Sequence, residues 1–350
     1  MNGVLAAVAA AAFAWQPALP GYTFVFPADY GAHETSRDEW WYYTGNVHDA
    51  RGRRYGFELT FFRVGIQPRA PGGSLWDIDD LYFAHLAVTD AATGAYYHVD
   101  RTGRAALGAA GARSGDERVW LDTWTARRRI DGRHVLHARA ERIALDLTLS
   151  PRKPAAINGR DGVSRKGACR GCASHYYSFM DLAASGTLSL PSGNVAVTGS
   201  AWNDHEWGSA GLETGVVGWD WFSIQLDGER ELMLYVLRRA DGSAIPQSSG
   251  TIVDGAHPPV YLPLAKFSVT HLDEWTSPHS DGIYPARWRV RMPSYGANLT
   301  ITPLVSDQEF DARTSTGGYY WEGACSVSGT FAGKAASGYG YTELTGYAGK

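Results

Sequence analysis

What most constrains this chain is two-residue alternation, cut at short intervals by turn sequences. In Arg287-Trp288-Arg289-Val290-Arg291-Met292, three arginines and three apolar residues fall on opposite sides of an extended backbone. Tyr55, Phe57, Leu59 and Phe61 alternate with Gly56, Glu58, Thr60 and Phe62, and Ile143, Leu145, Leu147 and Leu149 with Ala144, Asp146 and Thr148. Leu232-Met233-Leu234-Tyr235-Val236-Leu237 is apolar on both sides, as a strand buried on both faces would be. Asp49-Ala50-Arg51-Gly52, Thr93-Gly94, Asp131-Gly132, Pro191-Ser192-Gly193, Asp227-Gly228 and Asp241-Gly242 supply the turns. No long window has a helical moment, so the chain is predicted to be all-β with few short helices. The 13 Trp, 19 Tyr, 12 Phe and 41 Gly among 350 residues agree: aromatics favour strands, and glycine favours tight turns.

An internal echo divides the chain. Glu39-Trp40-Trp41-Tyr42-Tyr43 opens one hairpin and Gly218-Trp219-Asp220-Trp221-Phe222 another. Val197-Thr198-Gly199-Ser200-Ala201-Trp202 resembles Ser337-Gly338-Tyr339-Gly340-Tyr341. Each half begins with an aromatic hairpin and ends on a Gly-rich aromatic strand, the pattern of two tandem antiparallel β-barrels whose first and last strands pair. The expected units are residues 22–210 and 211–350.

The net charge of -4 lacks the basic excess of a phosphate-tracking protein, so a nucleic-acid partner is not expected. Residues 1–14 form an apolar run ending in Ala12-Phe13-Ala14, the pattern of a secretory signal peptide, although no Lys or Arg precedes Arg37. Secretion or a periplasmic location is the expectation, with no transmembrane segment. Cys169-Arg-Gly-Cys172 lies in a loop rich in Gly, Ser and Arg and reads as a local disulfide, with Cys325 a buried free thiol.

The densest run of chemistry is Ala201-Trp202-Asn203-Asp204-His205-Glu206-Trp207-Gly208. Extended, it sends Trp202, Asp204 and Glu206 to one face and Asn203, His205 and Trp207 to the other. Carboxyls beside tryptophans suit acid–base work, because apolar surroundings raise a carboxyl pKa. The structural alternative pairs them with arginines and amides at the joint between barrels. Glu39 shares a face with Trp41 and Tyr43. If the first barrel closes as expected, Glu39, Asp204 and Glu206 line one cavity. Asp220, between two tryptophans, reads as the partner of a buried arginine. His85 and His175 read as core residues; a three-His metal site with His205 lacks any ligand spacing, and no metal or cofactor is expected. No nucleophile elbow, phosphate loop or dinucleotide fingerprint occurs in a suitable context.

Phe26-Pro27-Ala28-Asp29-Tyr30-Gly31-Ala32-His33 and Glu39-Trp40-Trp41-Tyr42-Tyr43-Thr44-Gly45-Asn46 resemble the AttH and carotenoid 1,2-hydratase (CrtC) family. So do Leu59-Thr60-Phe61-Phe62-Arg63, Ser174-His175-Tyr176-Tyr177-Ser178, Asp204-His205-Glu206-Trp207-Gly208 and Gly218-Trp219-Asp220-Trp221-Phe222, in order along nearly the whole chain. The resemblance is closest to the AttH-like branch, often labelled secreted hydrolases. It implies two lipocalin-like barrels with a pocket near their junction. It also implies a large apolar substrate that is hydrated at a carbon–carbon double bond or cyclised. The hydratase branch uses a His and a Trp matched here by His205 and Trp207, and a Tyr matched by Tyr235. Val236 and Leu237 stand where that branch places an acid.

Three readings follow. The first is a hydro-lyase or isomerase acting on a polyene, carotenoid or terpenoid-like substrate, with Asp204, Glu206, His205 and Glu39 as candidate catalytic residues. Its binding surface would be Trp40, Trp41, Tyr43, Trp202, Trp207, Trp219, Trp221, Tyr235 and His175. The second is a lipid or polyene carrier using the same aromatics. The third is a cyclase-like template that works by shape.

Overall fold

The computed structural model describes residues 15–68 and 78–349; the segment 1–14 read as an export leader lies outside them. Among the described residues the longest helices are single 3-10 turns, and none is long and apolar enough to cross a membrane. The rest is organised by two antiparallel sheets, one curled into a barrel and one into a half-barrel, as the all-β reading expected.

The first sheet holds β1 (Asp38–His48), β2 (Arg54–Gly65), β3 (Asp80–Asp90), β4 (Ala95–Arg104), β5 (Ala110–Ala112), β6 (Arg118–Leu121), β7 (Trp124–Arg128), β8 (His134–Arg139), β9 (Ala144–Pro151), β10 (Ala156–Ile157), β11 (Ser164–Arg165), β12 (Ala173–Leu190) and β13 (Gly193–Gly208). The second holds β14 (Val216–Leu226), β15 (Arg230–Arg239), β16 (Ser249–Asp254), β17 (Val260–Pro263), β18 (Ser268–Thr276), β19 (Ile283–Met292), β20 (Ala297–Pro303), β21 (Glu309–Asp311), β22 (Tyr319–Phe331) and β23 (Lys334–Thr345). Their centres repeat one order, β2-β1-β13-β12 and β15-β14-β23-β22. In both, the opening strand pairs with the closing strand, as the echo between the halves expected.

Alternation then sorts the side chains. On β19, Trp288, Val290 and Met292 are fully buried while Arg287 and Arg291 face solvent. Leu232 and Leu234 of β15 enter the interior of the second sheet with Phe222, Ile224 and Trp288. Their neighbours Met233, Tyr235 and Leu237 join Tyr42, Tyr176, Trp202 and Trp221 in a separate cluster between the sheets. That is why Leu232–Leu237 is apolar on both sides. Burying each such side chain contributes roughly 1.5–3 kcal/mol.

The two sheets meet closely. A Cβ on Gly56 of β2 would stand 2.5 Å from the Ala324 Cβ of β22, so only glycine permits this approach. Asn46 Nδ2 donates to the Gly340 carbonyl (2.9 Å), Thr89 Oγ1 to Gln308 Oε1 (2.7 Å), and Lys153 Nζ pairs with Glu231 Oε2 (2.7 Å).

Candidate functional site

Strand register builds a cavity at this seam. On the first sheet, Trp40 lies opposite Phe62 and Glu206, and Glu206 opposite Tyr176. One step along, Tyr42 lies opposite Thr60 and Asp204, and Asp204 opposite Ser178. Directly paired residues in an antiparallel sheet point to the same face. Both rows therefore project outward from the first barrel. On the second sheet Trp221 lies opposite Tyr235 and Glu343, and Glu343 opposite Glu322. These rows enclose a cavity of about 600 Å³. Its lining includes Trp40, Tyr42, Lys166, Tyr176, Asp204, Glu206, Trp219, Trp221, Tyr235, Glu322 and Glu343.

Asp204 is 3% exposed and accepts from Ser178 Oγ (2.5 Å), Tyr176 Oη (2.6 Å) and Trp202 Nε1 (2.6 Å). Burial pushes its pKa up to about 7 and the nearby Glu206 adds to the rise, although the three donors favour the ionised form. A carboxyl that titrates near neutrality can give a proton and regain it. Trp221 Nε1 donates to Tyr176 Oη (3.2 Å), which links the second sheet to this group.

Glu206 Oε1 lies 2.7 Å from Lys166 Nζ, whose ammonium sits 4.8 Å from the Tyr235 ring centroid and 5.7 Å from that of Tyr176. Burial works against the Lys166 charge, but Glu206 and Tyr235 outweigh it and its pKa is raised. Lys166 is held locally: its backbone N–H donates to the Cys172 carbonyl (2.7 Å), and Cys169 and Cys172 form the expected disulfide. Cys325 is a buried free thiol, also as expected.

The other face of the same strands looks into the first barrel and carries a different network. Glu39, fully buried, accepts from Arg63 Nε at Oε2 (3.0 Å) and meets His33 Nδ1 (2.8 Å) and His205 Nε2 (2.9 Å) at Oε1. Burial alone would raise its pKa, but these partners hold it well below the usual carboxylate range. His205 Nδ1 meets Tyr177 Oη (3.0 Å), and its ring stacks on Trp41. Trp207 stacks on His33 at 3.6 Å. Tyr43 donates to Glu117 (2.5 Å), and His175 donates to the Gly162 carbonyl and stacks on Tyr22.

Glu39, Asp204 and Glu206 all line the one cavity, as expected, but their carboxylates are used differently. Although Glu39 borders the cavity, both its oxygens are engaged on the opposite face, because it precedes Trp40 on an extended strand and Asp204 and Glu206 share the Trp40 face. Of the sequence candidates, the cavity gathers Asp204, Glu206, Trp40, Trp219, Trp221 and Tyr235, with Glu39 at its edge and Trp202 behind Asp204. Glu39, His205, Trp41, Tyr43, Trp207 and His175 belong to the barrel network. His85 bonds Tyr320 Oη and Ser315 Oγ, so His85, His175 and His205 have separate partners. Asp220 does take a buried arginine, Arg238, at 2.7 Å.

Among the described residues, the one group with metal-ligand spacing is His33, Glu39 and His205, whose ligand atoms lie within 4.8 Å of one another. The Arg63 guanidinium on Glu39 already supplies the positive charge that a cation would bring, so the donor set does not favour a metal. Sequence reasoning missed Lys166, Tyr176, Glu322 and Glu343. Glu343 was the most accessible of these, two residues past Tyr341 as Asp204 is two past Trp202.

No curated protein matches the chain in sequence. An AttH protein from Nitrosomonas europaea is 37% identical and superposes with a TM-score of 0.85, covering 95% of this chain and 99% of its own. Kievitone hydratase from Nectria haematococca shares the fold at 14% identity and a TM-score of 0.70, over 96% of this chain and 99% of its own. CghA, solved with Sch210972, shares it at 14% identity and 0.58, over 96% and 97%. The family model described as AttH-like matches residues 17–347. With its sequence motifs, sheet order and nearly full-length match in agreement, the chain belongs to the AttH-like family.

Proposed function

We propose that this protein is an exported enzyme of the hydro-lyase or isomerase type. It protonates a carbon–carbon double bond of a large apolar, polyene or terpenoid-like substrate held between its two sheets. The observation that carries this reading is Asp204, a carboxyl that titrates near neutrality on the wall of a cavity lined by Trp40, Trp219 and Trp221. Protonating an alkene places positive charge on carbon, and indole faces stabilise such charge. Water capture completes a hydration; proton loss from another carbon completes an isomerisation. The names of two relatives of like fold support it: one is a hydratase, and the other was solved with a small molecule, Sch210972. The Cys169–Cys172 disulfide supports export, since such bonds persist in oxidising compartments.

The test is turnover of kievitone and of farnesol, a plain isoprenoid alkene, in ¹⁸O-labelled water, read by mass spectrometry. The expected product gains one labelled water or is an isomer. Asp204→Asn should lose turnover while ligand-induced tryptophan quenching persists. Quenching without product in the wild-type protein would favour the carrier reading. Full turnover in Asp204→Asn would remove Asp204 from the chemistry.

A further inference from the structure

The hydration reading names one acid on one wall; the facing wall holds its counterpart. We propose that Glu343 is the second acid–base group of the site, accepting the proton of the attacking water, so that each repeat contributes one carboxyl to a shared reaction. This rests on the hydration reading above.

Asp204 lies on β13, the closing strand of the first sheet, opposite Tyr42 of the opening strand. Glu343 lies on β23, the closing strand of the second, opposite Trp221 of its opening strand. The echo that places Trp202 on Tyr341 also places Asp204 on Glu343, and the one that places Trp40-Trp41-Tyr42 on Trp219-Asp220-Trp221 places Tyr42 on Trp221. Each carboxyl accepts an indole N–H, Asp204 from Trp202 (2.6 Å) and Glu343 from Trp219 (3.0 Å). Both line the one cavity.

The groups facing Glu343 are Glu322 beside it on β22, with Glu58 behind, Glu206 from the first sheet and Lys166 from the loop after β11. Burial pushes Glu343 up to about 7, with Trp219 and Lys166 opposing and Glu206 adding. Two carboxyls in this range allow one to be protonated while the other is ionised at neutral pH.

The step balances without an oxidant. The alkene π pair takes the Asp204 proton and forms the new C–H bond. A water oxygen bonds to the resulting cationic carbon, and the released proton passes to the Glu343 carboxylate. Exchange with solvent returns a proton to Asp204 and removes one from Glu343. Alkene plus water gives alcohol.

Glu343→Gln is the informative change, because the amide keeps an acceptor for the Trp219 indole. With farnesol and kievitone it should lower kcat at least ~100-fold and remove the acidic limb from the pH profile of kcat/KM. A second measurement needs no turnover. Dodecyltrimethylammonium carries the positive charge of the intermediate, and dodecanol is its neutral counterpart; both are titrated by tryptophan quenching. Glu343→Gln and Asp204→Asn should each weaken the ammonium on the order of tenfold and leave dodecanol unchanged. Normal turnover and normal ammonium affinity in Glu343→Gln would overturn the assignment and leave the hydration reading standing. A wild-type protein that never turns over but loses ammonium affinity in both variants would overturn the hydration reading and retain the paired carboxyls. Loss of ammonium affinity in Asp204→Asn alone would reduce Glu343 to an anchor for Trp219 and overturn its role.

Discussion

The two faces of the β1–β13 pair differ by one residue along the chain, and they shift their carboxyls in opposite directions. On the inner face Glu39 meets Arg63, His33 and His205 and stays ionised. On the outer face Asp204 meets only hydroxyl and indole donors, with Glu206 as a neighbouring negative charge, and is driven toward protonation. Burial pushes both carboxyls in the same direction; the partners decide the outcome. One pair of strands thus carries a structural lock on one side and an ionisable group suited to chemistry on the other.

The largest expected effect falls on the lock. Glu39→Gln removes the buried carboxylate shared by Arg63, His33 and His205, leaving Arg63 only Asp80 and His33 only Asp29 as charge partners among the described residues, and should cost about 3 kcal/mol in chemical denaturation. A loss below about 1 kcal/mol would mean that the inner network is replaceable. Next is Asp204→Asn, which should lower turnover at least ~100-fold, with a much smaller change in stability than Glu39→Gln.

The two faces should also respond oppositely to pH. Glu39 has a lowered folded pKa, so its stabilisation is present above its unfolded value of about 4.3 and is lost as pH falls below it. Asp204 has a raised folded pKa of about 7, so its contribution is complete below about 3.9 and is lost as pH rises toward 7. Denaturation midpoints of Asp204→Asn should therefore fall less steeply with pH between about 4 and 7 than those of the wild-type protein. Equal slopes would show that Asp204 titrates normally in the folded protein.

Lys166→Met removes the cation paired with Glu206 and should shift the activity profile to higher pH, because the carboxyls around it lose a stabilising charge; an unshifted profile would detach Lys166 from the site. The smallest effect is expected from Cys169→Ser with Cys172→Ser. Closing so short a loop contributes about 2 kcal/mol or less, and the change should appear first in ligand affinity, through the Lys166 backbone that donates to Cys172. A falling melting temperature with unchanged affinity would assign the disulfide to stability alone.

Much of this architecture was legible in the chain. Alternation gave the strands, and the echo of Glu39–Tyr43 in Gly218–Phe222 anticipated two sheets in each of which the opening strand pairs with the closing one. The facing of residues within Trp202–Trp207 followed from extended geometry. What the sequence did not carry was register between distant strands. Whether Glu39 stands beside Asp204 or a half-step away depends on the pairing of Trp40 with Glu206, and that single step turned Glu39 into the barrel. Lys166 was hidden for another reason: it comes from a loop whose shape depends on a disulfide and on backbone hydrogen bonds, which no periodicity encodes. Glu343 was partly visible, since the repeat that set the fold also set its position.

The glycine contact between Gly56 and Ala324 has a consequence for how such a protein diversifies. It brings two separately built sheets together, so the cavity is a seam and neither sheet has to enclose a hollow. In a single hollow barrel, strand number limits the ligand, and enlarging the lumen means rebuilding the hydrogen-bonded wall. Here the space is set by the side chains that project from two finished walls. Exchanging Trp40 or Trp219 for smaller residues changes the size and shape of the chamber without disturbing a single strand pairing. The chamber can therefore diversify while the fold stays fixed.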